Sequence, residues 1–315
     1  MDERSPEREP AAETRKSGWN APQITAPLLM LFVLGAMHLS RYFLSRADGT
    51  DPLLAISLIQ LLVLILPCMV YYLLKRRTFA TPLLIKSVNL RQIPLMISSV
   101  PVYVFGILLL KFVLLLSGAQ PAAMYGFFEE ISGRTAEGVS LAGVIISLVV
   151  IPAVCEEFLF RGVLLSEYAG LGEANAVVMT SVCFAMLHFS VRDFPAYLLA
   201  GLLLGVLTVA SRSLIPGILL HLVSNVLNLF VSDSFLRITM QKNGHFFVGF
   251  GLIVLFGLSL FLFLYLVEHQ YIRMADSGQD LTLPPKNFRQ IPKVFLSPTF
   301  LVLLAAFVLI TIFGT

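Results

Sequence analysis

The sequence predicts an all-α, polytopic transmembrane helical bundle. Of its 315 residues, 57% are hydrophobic and only 13% are charged, against about 25% charged residues in an ordinary soluble domain. Apolar runs close to the roughly 20 residues that a helix needs to cross a bilayer recur along the chain. The alternating segments of about 10 residues that mark membrane β-barrels are not seen, so helices are the predicted spanning structure.

The apolar runs predict about eight or nine spans. They cover residues 26–44, 53–74, 94–116, 139–168, 174–189, 194–210, 214–231, 245–267 and, as a shorter segment, 300–313. The run that begins at 139 is longer than a bilayer requires, which predicts a tilt or a kink at Pro152. Basic loops after the second span and beyond the eighth fall on the same side as the N-terminus. The positive-inside rule therefore predicts a cytoplasmic N-terminus.

Four regions follow from this pattern. Residues 1–23 form a polar tail that is predicted to be disordered, because it mixes acids, bases and prolines without an apolar run. Residues 24–135 hold N-terminal transmembrane helices and a loop, and residues 136–235 hold the spans that carry polar side chains. Residues 236–315 hold C-terminal transmembrane helices, with a basic loop at 268–298.

The net charge and the positions of the cysteines argue against nucleic-acid binding and against a cysteine-based metal or redox site. The net charge of +3 is too small to suggest a nucleic-acid partner, and the expected surroundings are membrane lipid. Cys68, Cys155 and Cys183 all lie in apolar segments without metal-binding or redox spacing, so we expect buried free thiols.

Charged residues inside the fourth span are the strongest functional signal. Glu156, Glu157 and Arg161 interrupt an apolar run, and charges at membrane depth are costly and usually mark a functional site. Glu157 and Arg161 are four residues apart, the spacing of a helical ion pair. Glu156 is rotated away by about 100 degrees, so its carboxylate is expected to stay available for chemistry.

Two later spans add histidine and asparagine. His188 ends the fifth span, and His221 and Asn225 share one face of the seventh. If the fourth and fifth spans form a hairpin at Gly172, Glu156 and His188 each lie sixteen residues from the turn, about 24 Å along a helix. The two side chains are then level. His221 fits this depth less neatly, because it follows the preceding loop by only nine residues.

These residues form three blocks that resemble the motifs of the CAAX-protease and bacteriocin-processing family (CPBP, or Abi) of intramembrane proteases. The family pattern is E-E-x-x-x-R, then F-x-x-x-H, then H-x-x-x-N. The blocks here are Glu156-Glu157 with Arg161, Phe184 with His188, and His221 with Asn225. All three occur in the family's order within about residues 140–230, and the ordered set is far more specific than any one block.

The resemblance implies a helical bundle around an intramembrane polar cavity, with 136–235 as the catalytic core. It implies a CAAX-type endopeptidase that acts on a peptide or lipid-anchored protein substrate, prenylated in one branch of the family. Glu156 and His188 would activate water, and His221 and Asn225 would stabilise the oxyanion. Glu157, Arg161 and Phe184 would support the site.

Alternatives remain at this stage. The family is often called a metalloprotease family, and Glu156, His188 and His221 could serve as three zinc ligands. The absence of H-E-x-x-H and the presence of Asn225 favour a mechanism without metal. A non-catalytic scaffold, regulator or immunity protein would keep the same fold. A transporter could use the acids and histidines as a proton relay, but the paired repeats expected of one are not seen.

Overall fold

The computed structural model describes residues 21–44, 51–76, 79, 83–118, 140–230, 245–278 and 290–313, and all regular structure in these ranges is helical. The predicted all-α class is therefore confirmed. The helices are α1 (Pro22–Leu44), α2 (Pro52–Lys75), α3 (Ile93–Leu116), α4 (Leu141–Leu171), α5 (Glu173–Leu187), α6 (Phe194–Ser211), α7 (Leu214–Phe230), α8 (His245–Asp276), α9 (Gln290–Phe295) and α10 (Pro298–Phe313).

The predicted spans agree with these helices to within a few residues, except at the end of α8. Within the described ranges, α1 to α4, α6 and α8 are long and apolar enough to cross a bilayer, and α5, α7 and α10 are shorter apolar helices. The chain is thus an integral membrane protein. The polar tail falls mostly on residues 1–20, which lie outside the described part, as does the loop at 119–139.

Helix α8 continues to Asp276, so the polar stretch predicted from residue 268 begins as helix rather than loop. Polar side chains such as those of residues 268–270 do not break a helix, and they extend it beyond its apolar part. Gly278 ends it with a φ of +68°, a conformation that glycine adopts at little cost. Of the predicted basic loop, residues 279–289 lie outside the described chain, and residues 290–295 form α9.

Two prolines explain local widening of α2 and α4. Proline lacks an N–H and its ring crowds the carbonyl four residues earlier. Just before Pro67, residues Gln60–Ile65 form a π-helical turn, and just before Pro152, residues Ile145–Val150 do the same. The irregularity predicted at Pro152 is therefore a widened turn that accommodates the ring.

Helix α4, which carries the two glutamates, and helix α6 occupy the centre of the bundle. In their most apolar windows, 61% of the residues of α4 and of α6 are buried, against 11% for α8, which places α8 at the lipid-facing edge. Helix α3 packs between α8 on one side and α6 and α7 on the other. Helices α1 and α2 pack on the opposite flank, against α4.

Polar contacts fix the helix directions on that flank. The Ser57 hydroxyl of α2 donates to the Ser147 hydroxyl of α4 at 2.9 Å, close to the start of both helices. At the other end, Lys75 Nζ donates to Glu167 Oε1 at 2.6 Å and to Thr25 Oγ1 at 2.7 Å. Helices α2 and α4 therefore run parallel, and α1, which begins next to Thr25, runs antiparallel to both.

We call this second set of residues the Glu167 cluster: Thr25, Tyr71, Lys75 and Glu167. The Tyr71 hydroxyl donates to Thr25 Oγ1 at 2.9 Å, and Thr25 Oγ1 is 3.2 Å from Glu167 Oε1. Glu167 is fully buried. The cluster ties three helices together at one end of the bundle.

Helices α1 and α10 pack along each other in the same direction. The hydroxyls of Ser297 and Thr299, at the start of α10, donate to the carbonyl of Gln23 at 3.1 and 3.0 Å. Two helices that are far apart in sequence therefore begin at the same end of the bundle.

Candidate active site

The two glutamates lie where α4 changes its winding. Residues Ile151–Glu157 are α-helical, and Phe158–Leu164 form a π-helical segment. No proline follows this segment, unlike the other two. Turns of this kind inside helices occur frequently at functional sites. Glu156 and Glu157 are adjacent, so their carboxylates leave the helix in different directions and meet different partners.

Glu157 is fully buried and held by two cationic or N–H-bearing groups. Its Oε1 accepts a hydrogen bond from Arg161 Nη1 at 2.8 Å and another from His221 Nδ1 at 2.9 Å. Arg161 Nη2 donates to the carbonyl of Gly201 on α6 at 2.9 Å. The ion pair predicted from the i, i+4 spacing is confirmed, and it links α4, α6 and α7.

Gly201 and Gly217 allow this close packing. A Cβ on Gly201 would lie 2.9 Å from the Cα of Ser181, so α6 and α5 touch backbone to backbone. A Cβ on Gly217 would lie 3.1 Å from Glu157 Oε2, so α7 passes directly over that carboxylate. Gly201 thus gives α6 a small-residue contact with α5, as is usual for closely packed membrane helices.

Glu156 faces a different environment. It is 7% exposed, and its Oε2 accepts no hydrogen bond from the described residues. Nε2 of His221 lies 3.9 Å from this Oε2. This distance is too long for a direct hydrogen bond, and at such separations a water can bridge the two groups. As expected from the sequence, Arg161 binds Glu157 rather than Glu156.

His188 follows the last turn of α5 with one ring nitrogen fixed. Its Nδ1 lies 2.9 Å from the carbonyl oxygen of Phe184. Because a carbonyl only accepts, Nδ1 carries the proton, and Nε2 of the neutral ring keeps its lone pair. The ring stacks on Tyr197 of α6 with centroids 3.7 Å apart. The imidazole therefore has one defined orientation.

Phe184 brings the three motifs together. Its ring centroid lies 4.8 Å from that of His188 and 5.6 Å from that of His221. The guanidinium carbon of Arg161 lies 4.7 Å from the same centroid, a cation–π distance. Phe160 and Phe184, each twelve residues from Gly172, meet at 5.3 Å. The hairpin register predicted around Gly172 holds at this pair.

His221 contacts Glu157 although it follows the preceding loop by only nine residues, fewer than the sixteen that separate Glu156 from Gly172. Ser213, just before α7, is fully buried, and its hydroxyl donates to the carbonyl of Lys86 at 2.5 Å. The backbone N–H of Leu214 donates to the carbonyl of Leu84. The loop at 83–86 thus covers the start of α7, which begins inside the bundle, so fewer residues are needed to reach Glu157.

The asparagines of α7 diverge. Asn225 Nδ2 donates to the carbonyl of Val149 on α4 at 3.3 Å, which leaves its second amide N–H for another acceptor. Asn228 Nδ2 donates to the Tyr103 hydroxyl of α3 at 3.3 Å. Asn228, Tyr103 and Lys111 line a small pocket between α3 and α7.

The structure does not group Glu156, His188 and His221 as the three ligands of a zinc ion. Among the described residues, no three His, Cys, Asp or Glu side chains are grouped so that they could share a metal ion. The Nδ1 contacts of His221 and His188 leave both Nε2 atoms free, as in many metal-binding histidines, so the grouping of the side chains alone decides the fit. The residues present do not fit a three-ligand zinc centre, so no step is derived through a metal.

Three contributions to the site were missed from the sequence. Tyr197 and the carbonyl of Gly201 lie on α6, where the sequence predicted only an apolar span. Arg41 ends α1 with its guanidinium carbon 4.8 Å from the ring centroid of Phe189, the residue after His188. Arg41 was visible as a basic residue near a span end, but its proximity to the site depends on tertiary packing.

Comparison with known proteins gives one match. Residues 138–227 match the family model described as Rce1-like, type II CAAX prenyl endopeptidase. Searches of curated proteins and of solved structures gave no significant match. The matched segment covers less than a third of the chain but contains all three motifs. It confirms the resemblance seen in the sequence: over this segment the chain is similar to the type II CAAX prenyl endopeptidases.

Proposed function

We propose that the protein is an intramembrane endopeptidase in which Glu156 and His188 activate a water molecule. The observation that carries this proposal is the contrast between the two buried carboxylates. Oε2 of each accepts no hydrogen bond from the described residues, but Glu157 accepts two through Oε1, from Arg161 and His221. The neighbouring carboxylate of Glu157 already holds Arg161. The one guanidinium of the cluster therefore binds Glu157, and the carboxylate of Glu156, which it does not bind, is suited to accept a proton.

In the proposed reaction, Glu156 removes a proton from water, and the water oxygen forms a bond to the scissile carbonyl carbon. The carbonyl electron pair moves to oxygen and gives a tetrahedral oxyanion. When this intermediate collapses, the C–N bond breaks and the amine leaves with the proton that Glu156 held. The free Nε2 of His188 orients the attacking water, since Nδ1 is committed to Phe184.

His221 and Asn225 are the proposed oxyanion donors. When His221 carries both ring protons, Nδ1–H donates to Glu157 and Nε2–H is left to donate to the oxyanion. Asn225 contributes the amide N–H that is not bonded to Val149. Donors fixed in a water-poor site stabilise developing charge strongly, because they need no reorganisation during the reaction.

The proposed substrates are membrane-associated peptides, including prenylated ones. The matched family model is named for CAAX prenyl endopeptidases, and a substrate with a lipid anchor would reach a buried site from the bilayer. No nucleic acid takes part in this proposal.

Activity assays of the purified, reconstituted protein test the assignment. We expect Glu156→Ala and His188→Ala each to lower kcat by about 100-fold or more, since a positioned acid or base contributes 10²–10⁴-fold. The matched control is Glu173→Gln, because Glu173 is bound by Arg212 at the far end of α5. Full peptidase activity in Glu156→Ala would exclude the assignment. A cellular phenotype that persists unchanged in this variant would favour a non-catalytic scaffold.

Metal removal separates the two mechanisms. We expect activity to survive treatment with a strong chelator, because the described residues provide no three-ligand centre. Loss of activity that Zn²⁺ restores would establish the zinc mechanism instead.

We also propose that the end of the bundle at which α1 begins faces the cytoplasm. Basic residues gather at this end, namely Lys75, Arg76, Lys86, Arg91 and Arg212, as the positive-inside rule expects. The three native cysteines are buried, so single cysteines introduced by Ser87→Cys and Arg192→Cys can be labelled selectively. A membrane-impermeant thiol reagent should label position 192 in intact cells and position 87 only in inverted vesicles. The reverse pattern would invert the topology.

A further inference from the structure

A short stretch of chain joins the surface of the bundle to the helix that carries His221. It comprises residues 83–92, between α2 and α3, and we call it the 83–92 strap. The strap contains two bases, Lys86 and Arg91, and no acid. Both side chains are exposed, and neither forms a hydrogen bond or an ion pair with the residues that the structure describes. The strap therefore carries positive charge that this part of the fold does not neutralise.

The inner side of the strap is fixed to the start of α7. The Ser213 hydroxyl donates to the carbonyl of Lys86 at 2.5 Å, and it also accepts from the N–H of Ile215 in the first turn of α7. The N–H of Leu214 donates to the carbonyl of Leu84 at 2.8 Å. The strap thus holds the end of the helix that carries two of the proposed catalytic side chains.

A buried glutamine makes a second connection. Gln92 ends the strap, and its Nε2 donates to the carbonyl of Ser211, in the last turn of α6, at 2.8 Å. Its Oε1 accepts from the N–H of Asn89 at 3.2 Å, and the Asn89 side chain accepts from the N–H of Arg91 at 3.0 Å. One amide therefore joins the turn that carries Leu90 and Arg91 to the turn between α6 and α7.

The outer side of the strap faces the bilayer. Leu90 comes just before α3 and is 80% exposed, and it continues the face of α3 on which Ile93 and Ile97 are also exposed. Positions three and four apart share one side of a helix. Ile85, earlier in the strap, is 66% exposed. Because α3 is long and apolar enough to cross the bilayer, its exposed face meets lipid, and Leu90 lies where that face reaches the headgroups.

Each exposed apolar side chain of the strap has a base beside it in the chain. Lys86 follows Ile85, and Arg91 follows Leu90. Apolar side chains that enter the boundary of the hydrocarbon, next to bases that reach the phosphates, are typical of segments that bind a membrane surface. The positive-inside rule would explain the two bases, but not the exposed apolar neighbours or the connection to α7.

We propose that the 83–92 strap docks onto anionic phospholipids of the adjoining leaflet and that this docking raises the activity of the site through α7. The inference rests on the proposed peptidase function and adds its regulation by lipid. Headgroup phosphates bind Lys86 and Arg91, while the apolar side chains enter the boundary of the hydrocarbon. Lipid on the outer side stabilises the strap, whose inner side keeps α7 at the depth where His221 reaches Glu157.

Peptidase assays in two kinds of vesicle test the proposal. The full-length protein is reconstituted in phosphatidylcholine alone and in phosphatidylcholine mixed with phosphatidylglycerol. We expect the anionic vesicles to raise the wild-type kcat about five-fold, which is the gain in binding that one base near an anionic surface contributes. Lys86→Gln/Arg91→Gln should keep the rate measured in neutral vesicles and lose the increase. A change in substrate partitioning alone would appear in KM and not in kcat.

Arg76→Gln/Lys293→Gln is the matched control. Both side chains are exposed, Arg76 at the end of α2 and Lys293 just before α10, so the variant removes the same number of bases from the same end of the bundle. Neither residue lies in the strap. We therefore expect the control to keep the increase in kcat that anionic lipid causes.

A fluorophore in the strap reports docking without any peptidase activity. Ser87 is exposed and the three native cysteines are buried, so Ser87→Cys can be labelled selectively. A quencher carried by phosphatidylglycerol should quench this label, and less so when Lys86→Gln/Arg91→Gln is added. Gln92→Leu removes the hydrogen bond to Ser211 and should keep the quenching while it loses most of the increase in kcat.

The two measurements separate failure of this inference from failure of the proposed function. Equal kcat in both vesicles, an increase that persists in Lys86→Gln/Arg91→Gln, or absence of quenching would overturn the inference and leave the peptidase function intact. Quenching without cleavage in either vesicle would support docking and count against the proposed function. If inorganic phosphate raised kcat equally in neutral vesicles, the strap would bind a soluble anion and the assignment to lipid would be wrong.

Discussion

Helix α4 carries two buried polar clusters, and they differ in charge balance. In the Glu167 cluster, one carboxylate is matched by one ammonium, and the hydroxyls of Thr25 and Tyr71 on two other helices add hydrogen bonds. Oε2 of Glu167 accepts none from the described residues. In the motif cluster, which comprises Glu156, Glu157, Arg161, His188 and His221, two carboxylates meet one guanidinium and the imidazole of His221. His188 joins the cluster through the ring of Phe184. Balanced charge suits a joint between helices, whereas a surplus carboxylate beside histidines suits proton transfer.

The comparison also shows how each cluster is built. Lys75 reaches Glu167 from another helix, so the contact forms only when α2 and α4 pack. Arg161 and Glu157 are partners within one helix, and α6 and α7 then add the Gly201 carbonyl and His221. The motif cluster thus keeps a local ion pair and leaves Glu156 outside it. Four substitutions test how the two clusters differ in their roles in catalysis and stability. They are given from the largest expected effect to the smallest.

Replacing Glu156 with glutamine should separate activity from stability. The amide keeps the shape but cannot accept a proton from water, so we expect kcat to fall about 10³-fold. Stability should stay unchanged or rise by about 1 kcal/mol, because a buried charge without a hydrogen-bond partner at Oε2 is removed. Peptidase assays and unfolding in detergent measure the two effects. A large loss of stability would show that Glu156 is structural.

Arg161→Met should destabilise the bundle most. It leaves Glu157 buried without its cation, which costs about 3–5 kcal/mol when one partner of a buried pair is removed. The double variant Arg161→Met/Glu157→Gln should recover part of this loss, since no uncompensated charge remains. Equal unfolding free energies for the single and the double variant would contradict the buried ion pair.

Lys75→Met should weaken the fold and leave catalysis alone. Its side chain is 10% exposed, so water lessens the penalty for an unpaired Glu167, and we expect a loss of about 2–3 kcal/mol. The kcat of the folded fraction should match the wild type. Arg76→Met, at the exposed neighbouring position, is the control and should change stability by less than about 0.5 kcal/mol. A lower kcat in Lys75→Met would link the two clusters functionally.

Gly201→Ala should cause the smallest change. The added methyl would meet the Ser181 backbone at 2.9 Å, and overpacking of this kind costs about 1–3 kcal/mol. Gly35→Ala is the control, because a Cβ there meets no atom within 4 Å, and alanine is the better helix former by up to about 1 kcal/mol. If both variants were equally stable, the close approach of α5 and α6 would be refuted.

Patterns within a short stretch of sequence predicted the features that are determined by residues close together in the chain. Apolar runs gave the helices, because burying backbone polar groups in lipid leaves few alternatives to a helix. The i, i+4 spacing gave the Glu157–Arg161 pair. The hairpin register gave the level at which Phe160 meets Phe184, because a tight turn at Gly172 fixes two antiparallel helices relative to each other.

Contacts between distant segments could not be predicted in the same way. The hydrogen bond from His221 to Glu157 depends on where α7 begins, which the loop at 83–86 determines. Tyr197 under His188 looks like any aromatic residue of an apolar helix until α6 is packed. The end of α8 was misplaced because polarity marks where a helix leaves the membrane, not where it stops.

The parallel pairing of α1 with α10 has a consequence for biosynthesis. Helix α1 enters the membrane early and carries Arg41, yet its packing partner α10 is translated only after the whole motif-bearing segment. A nascent chain that has already inserted all three motifs therefore still holds α1 without that support. The edge of the site that Arg41 forms is completed late in translation, which would delay the onset of proteolysis until the membrane domain is assembled.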